Sequence, residues 1–354
     1  MAHFPTSVAD ERDPAAATRT MAYVANADSR EIHVLALNEP NGRAHTVQQV
    51  SVSGRVMPLA ISPDRRYLFA ALASEPFAVS SFAIHPKTGQ LTSLTTVPLA
   101  ANMAYLSTDR TGRYLLGASY DDHCFSVNAI NSAGEVQPEP LVVVPTGEHA
   151  HCVLPDVSNR FLLVTNLGDD AIGVYRFDET TGRIEPNQPP SAKTPPRAGP
   201  RHLVFHPNGR FVFGSNELDA SLSTYRFDAA GALTLLHSVS VLPAGFQGKP
   251  WAADLHLTPD GRFLYASERT SSTLAAFRVQ ADGGQLTRIG TYPTETQPRD
   301  FAIDPAGRYL LAVGERSNAL STYAIDDRTG ALRHLSHLAV GQHPNWVEVI
   351  ALPK

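Results

Sequence analysis

Cysteine is scarce in this chain of 354 residues: Cys124 and Cys152 are its two thiols. Two cysteines make neither a disulfide framework nor a zinc pattern, so the reduced thiols of a cytoplasmic protein are expected. Long apolar runs are missing too. None approaches the roughly 18 residues of a membrane span. The first twenty residues, with Asp10, Glu11, Arg12 and Asp13, lack the apolar stretch of a secretory signal. Residues 1–20 are therefore expected to be a disordered extension, residues 21–354 a single domain, and a membrane is not an expected partner. Positive charge is not in excess: 29 Lys and Arg stand against 34 Asp and Glu, a net −5, which gives no electrostatic reason to hold nucleic acid. Helical periodicity of any length is absent, as are a Gly-x-Ser-x-Gly elbow, a P-loop and a Gly-x-Gly-x-x-Gly fingerprint, which removes the common serine-hydrolase and nucleotide-binding patterns.

What is present is a repeat. The phrases Ser62-Pro63-Asp64-Arg65-Arg66-Tyr67, His206-Pro207-Asn208-Gly209-Arg210-Phe211, Thr258-Pro259-Asp260-Gly261-Arg262-Phe263 and Asp304-Pro305-Ala306-Gly307-Arg308-Tyr309 share a strand-turn-strand form, with looser copies ending at Arg113-Tyr114 and Arg160-Phe161. The six arginines 66, 113, 160, 210, 262 and 308 are spaced by 47, 47, 50, 52 and 46 residues. A second phrase closes on glycine seven times, at 42, 89, 134, 182, 231, 284 and 330, where a tight hairpin needs positive φ. Alternating stretches such as Ser221-Leu222-Ser223-Thr224-Tyr225 lie between them, with the period of two of a half-buried strand. Each repeat thus holds four short strands, the content of a propeller blade. The prediction is an all-β, seven-bladed β-propeller with four-stranded blades. The chain starts on a second strand at Met21–Ala25, so the segment from Pro344 to Ile350 should supply the missing first strand and close the ring.

In a propeller the innermost strands line a central channel. The loops leading into those strands, and those joining the second strand to the third, open on one face, where function is expected. Counting six residues back from the proline position of each turn gives Met57, Ala104, His151, Arg201, Ala253 and Arg299, with Asn345 as the seventh. Three cationic or protonatable groups thus ring one mouth. Long loops before the fifth and sixth first strands add Lys193, Arg197 and Lys249, and suggest a pocket wall. Every loop between second and third strands carries an acid, first of all as a turn residue. Glu217 stands out because its loop belongs to the blade of Arg201, and Arg269 and Arg316 add charge in two further loops. Asp254, on a first strand with extra residues, is expected to be turned toward the mouth by a bulge. His149 and His151 form a His-x-His pair but lack a third ligand, so no metal site and no cofactor is expected. Cys152 is expected to be a core thiol on the opposite face from His151.

The segments Gly199-Pro200-Arg201-His202-Leu203-Val204-Phe205-His206-Pro207, Asn216-Glu217-Leu218, Trp251-Ala252-Ala253-Asp254-Leu255-His256 and Gln297-Pro298-Arg299 closely resemble those of the seven-bladed propeller 6-phosphogluconolactonases of bacteria, a fold family that includes carboxymuconate cyclases and other sugar lactonases. The resemblance runs from about Met21 to the end. It implies a catalytic set of His151, Arg201, Glu217 and Arg269, and a sugar-lactone substrate, phosphorylated in the pentose phosphate pathway. The segment Gly147-Glu148-His149-Ala150 departs from the family pattern. The residues agree chemically: lactone hydrolysis needs a base for water, for which Glu217 or His151 would serve, and a cation for the carbonyl oxyanion, for which Arg201 would serve. Arg299, Lys249, Asp254 and Asn345 are the candidate substrate contacts. A muconate-type cycloisomerase and a non-catalytic, protein-binding propeller are the competing readings.

Overall fold

The computed structural model describes residues 18–281 and 284–353. The expected extension lies outside the described residues as far as residue 17, and its last three residues are already strand. Every regular element described is a β-strand, and no helix is long and apolar enough to cross a membrane. The strands form seven antiparallel sheets of four. Six blades are consecutive, at 56–98, 103–145, 150–193, 200–240, 252–293 and 298–339; the remaining one joins Pro344–Pro353 to Thr18–Asn26, Glu31–Asn38 and Arg43–Ser51. We count this split blade as the first. Its seam pairs Met21 with Ile350, Ala22 with Val349 and Val24 with Val347, and continues through Arg19 to Leu352. The first strand of the chain therefore starts at Thr18, three residues ahead of the predicted Met21.

The two repeated phrases recur because they meet across blade boundaries. A Cβ on Gly134 of the third blade would lie 2.1 Å from the ring of Tyr67 in the second, and one on Gly182 of the fourth would lie 2.9 Å from Tyr114 in the third. Both glycines also hold positive φ, at 80° and 75°. Gly231 on Phe161, Gly330 on Phe263 and Gly42 on Tyr309 repeat the arrangement around the ring. The aromatic is the residue after the repeated arginine, whose guanidinium covers its outer face, 5.2 Å from the ring centre for Arg66 over Tyr67. Apolar cores fill the gaps between blades: Leu116, Phe125 and Val127 of the third meet Val153, Leu162 and Phe177 of the fourth. The first strands touch one another around the axis. All seven are irregular near their start, where the pairing register shifts, for example between Pro200 and Leu203 and between Ala252 and Leu255. The irregularity expected at Asp254 alone is thus a property of the whole ring.

Candidate active site

The second residue of each first strand occupies an equivalent place, and these residues are Met57, Ala104, His151, Arg201, Ala253, Arg299 and Asn345. Arg201 is fully buried. Its Nε lies 3.0 Å from Glu217 Oε2, and the same oxygen is 2.7 Å from Arg269 Nη2. Glu217 Oε1 accepts from the Trp251 indole at 3.3 Å. Arg269 in turn lies 3.9 Å over the Trp251 ring and donates from Nη2 to the Ala252 carbonyl at 3.0 Å. Burial would raise the pKa of Glu217, but Arg269 and Arg201 outweigh it and hold the carboxyl ionised below its usual range. Burial, then Arg269 and Arg299, bring Arg201 down to about 9, still a cation at neutral pH. Its Nη2 is buried and has no hydrogen-bond partner among the described residues.

His151 is also buried, its Nδ1 without a hydrogen-bond partner among the described residues. Burial and then Arg201 depress its pKa well below the ordinary value, so it stands neutral. The structure thus brings His151, Arg201, Glu217 and Arg269 together. His149 does not join its neighbour as a chelating pair: its ring stacks on Tyr120 at 4.1 Å, and Tyr120 meets His151 edge-on at 6.0 Å.

Arg299 borders this group, its Nε 3.8 Å from Glu315 Oε1. Glu315 also faces His343 Nε2 at 3.3 Å and accepts from Gln297 at 2.5 Å. Burial opposes its charge, yet His343, Arg299 and Gln297 hold it down to about 2, from an ordinary 4.5. A lowered folded-state pKa stabilises the fold fully above pH 4.5 and is lost as pH falls toward 2. The shift corresponds to a contribution on the order of 3 kcal/mol. Glu315→Gln should therefore lower the denaturation midpoint at pH 7, and its deficit against the parent chain should shrink between pH 4.5 and 3. A deficit constant across that range would refute the assignment.

The remaining candidates fall elsewhere. Lys249 is exposed on the long loop at 241–251, and its carbonyl accepts from Thr270. Asn345 is fully buried, its amide donating to the carbonyls of Val56 at 3.1 Å and His343 at 3.2 Å, the first of which ties the seam strand to the second blade. Asp254 does not turn to the mouth. It is the third residue of its strand, and the third residues form a layer beneath the second ones: His202 meets Tyr105 at 5.0 Å and Trp346 at 5.7 Å, and donates to Asp254 Oδ1 at 2.7 Å. Cys152 belongs to this layer as well, buried, its thiol pushed up to about 12 by burial, which makes it no nucleophile. Asp254, His256 and Asp300 are the described side chains close enough to share a cation, within 4.8 Å of one another. Asp254 already faces two imidazoles and Asp300 accepts from the Val347 amide at 2.6 Å, so a hydrogen-bonded network accounts for their contacts. Below them a cavity of about 390 Å³ opens between Arg110, His256 and Glu348.

Sequence reasoning passed over His202, Tyr120 and the indole of Trp251 as partners of the site. Most of the loop acids serve the loops themselves: Asp170 accepts from the Gly199 amide at 2.8 Å, Asp28 pairs with Arg55 at 3.0 Å, and Glu268 accepts from the Trp251 amide at 2.7 Å. Glu217 and Glu315 are the two that meet arginines of the channel mouth.

Fold and site together define a seven-bladed propeller whose channel mouth gathers three arginines and two carboxylates. The family described as Lactonase, 7-bladed beta-propeller matches residues 17–349, and the chain belongs to it. It is 42% identical over 331 residues to the 6-phosphogluconolactonase of Pectobacterium carotovorum, covering 93% of this chain and 98% of that one. Identity to the 6-phosphogluconolactonase of Erwinia tasmaniensis is 39%, over 94% of this chain and 98% of that one. Among solved structures, the Pseudomonas aeruginosa periplasmic gluconolactonase superposes with a TM-score of 0.87 at 28% identity, covering 94% of this chain and all of that one.

Proposed function

We propose that the protein is a lactonase that opens 6-phosphoglucono-δ-lactone to 6-phosphogluconate. The carrying observation is the charge at the mouth: three guanidiniums, Arg201, Arg269 and Arg299, meet two carboxylates, Glu217 and Glu315, so one buried positive charge awaits an anion. The relatives in Pectobacterium and Erwinia support the phosphorylated sugar. In this reading the lactone carbonyl accepts from Arg201 Nη2, and His151, neutral and with a free lone pair, takes a proton from water as the hydroxyl adds to the carbonyl carbon. The C–O bond of the ring then breaks, and the imidazolium returns its proton to the departing ring oxygen. Glu217 has both oxygens engaged by arginines and indole, which suits it to holding the cations rather than to accepting the proton. Arg299 holds the phosphate by charge-assisted hydrogen bonds. We read the protein as cytoplasmic, on its two free, buried thiols.

Steady-state kinetics on both lactones tests this. The phosphorylated one should have the higher kcat/KM, and Arg299→Ala should raise KM for it alone, the pattern of lost ground-state binding. Equal constants for both, untouched by Arg299→Ala, would leave a lactonase of unphosphorylated sugars. No rate above that of buffer would remove the enzymatic reading.

A further inference from the structure

The fully buried guanidinium of Arg201 is in contact on two sides. One is Glu217 at Nε; the other is an imidazole, since Arg201 Nη1 lies 3.1 Å from His202 Nε2. A guanidinium can only donate, so that nitrogen must carry a lone pair and the imidazole proton must sit on Nδ1. Nδ1 faces Asp254 Oδ1 at 2.7 Å, and Asp254 Oδ2 is 2.8 Å from His256 Nε2. Three first-strand residues from two blades thus form a directed chain, Asp254 to His202 to Arg201, every member at least nine-tenths buried. Rings of Tyr105, His151 and Trp346 pack around His202 at 5.0, 5.1 and 5.7 Å.

The geometry points to His202 and Asp254 as positioning residues for Arg201: Asp254 fixes the Nδ1–H tautomer of His202, whose Nε2 lone pair sets the guanidinium plane and leaves Nη2 as the donor to the substrate carbonyl. This deepens the lactonase reading and rests on it for its catalytic meaning; the tautomer itself does not. Burial and Arg201 bring the pKa of His202 down to about 3, so the imidazole keeps its lone pair throughout the neutral range. Asp254→Asn replaces an obligate acceptor with a group that can also donate, and so admits the other tautomer. That tautomer presents an N–H to Arg201, two donors face to face, and the guanidinium must move. Displacement of about 1 Å at a reacting group can cost two orders of magnitude in rate.

Two measurements test it. In the unmodified protein, nitrogen-15 NMR of the imidazoles should show His202 with its proton on Nδ1 and a non-protonated Nε2, and Asp254→Asn should produce the other tautomer. In kinetics, His202→Asn, whose amide stops short of Arg201, should lower kcat by about tenfold to a hundredfold with KM within about twofold. His202→Gln should recover most of that loss, because its longer amide places an accepting oxygen near the position of Nε2. A proton on Nε2 in the unmodified protein overturns the inference whether or not any lactone is hydrolysed. So does an active enzyme in which the Asn and Gln variants share the parent kcat. A parent chain that hydrolyses no lactone but shows the Nδ1–H tautomer overturns the lactonase reading and leaves the fixed imidazole standing.

Discussion

Arg201→Ala should lower kcat for lactone opening by about a hundredfold, the loss expected when one preorganised donor to a developing oxyanion is removed. KM should change far less, because the donor acts most strongly when charge has moved onto the carbonyl oxygen. The truncation empties a fully buried position beside Glu217, which keeps Arg269 at 2.7 Å and so is not left without a cation. Folding should survive, and circular dichroism of the variant checks that. The vacated space suggests a sharper control: millimolar guanidinium ion added to the Ala variant should restore part of kcat, and should do nothing for the parent enzyme. A folded variant with kcat within about threefold of the parent would move the oxyanion contact to Arg269.

Removing residues 344–354 should unfold the protein or drive it into aggregates. The segment supplies the innermost strand of the first blade, and its Trp346, Val347, Ile350 and Leu352 are each at most 5% exposed. Losing their burial alone costs on the order of 6–12 kcal/mol at about 1.5–3 kcal/mol per large side chain, comparable with the whole stability of a typical domain, about 5–15 kcal/mol. The deletion also opens the edge at Thr18–Asn26 and takes away the Val347 amide that Asp300 accepts from at 2.6 Å. Soluble yield and a thermal melt report the outcome. A shortened chain that keeps its melting temperature would mean that the seam contributes little.

The fold was legible because its signal is repeated: Gly134 and Tyr67 are far apart in the chain, yet each belongs to a phrase that recurs at blade spacing, and the ring brings the phrases together. The mouth was legible for a related reason. A fixed offset from the turn reached His151, Arg201 and Arg299, since all first strands share one register. Alternation along a strand then misled. With a period of two, His202 and Asp254 should leave the face used by their neighbours, but the register shift near each strand start keeps them in the channel, one layer down. Extra residues reveal the bulge at Asp254 but not which way it turns the side chain, and the same shift in the strand of His202 carries no such signature. Lys249 and Asn345 fell to different limits: a loop reveals charge but not reach, and an asparagine at an equivalent position can serve the backbone, as Asn345 does with the carbonyls of Val56 and His343.

The seam has a consequence in time. A chain emerging from the ribosome can finish the second to the seventh blades one after another, each from a contiguous stretch of sequence. Its first three strands, Thr18–Asn26, Glu31–Asn38 and Arg43–Ser51, are made earliest, yet their inner edge stays open until Pro344–Pro353 has been synthesised. The earliest-made blade is therefore the last completed, and throughout synthesis the nascent chain carries a bare edge that a chaperone could cover or another unfinished ring could pair with.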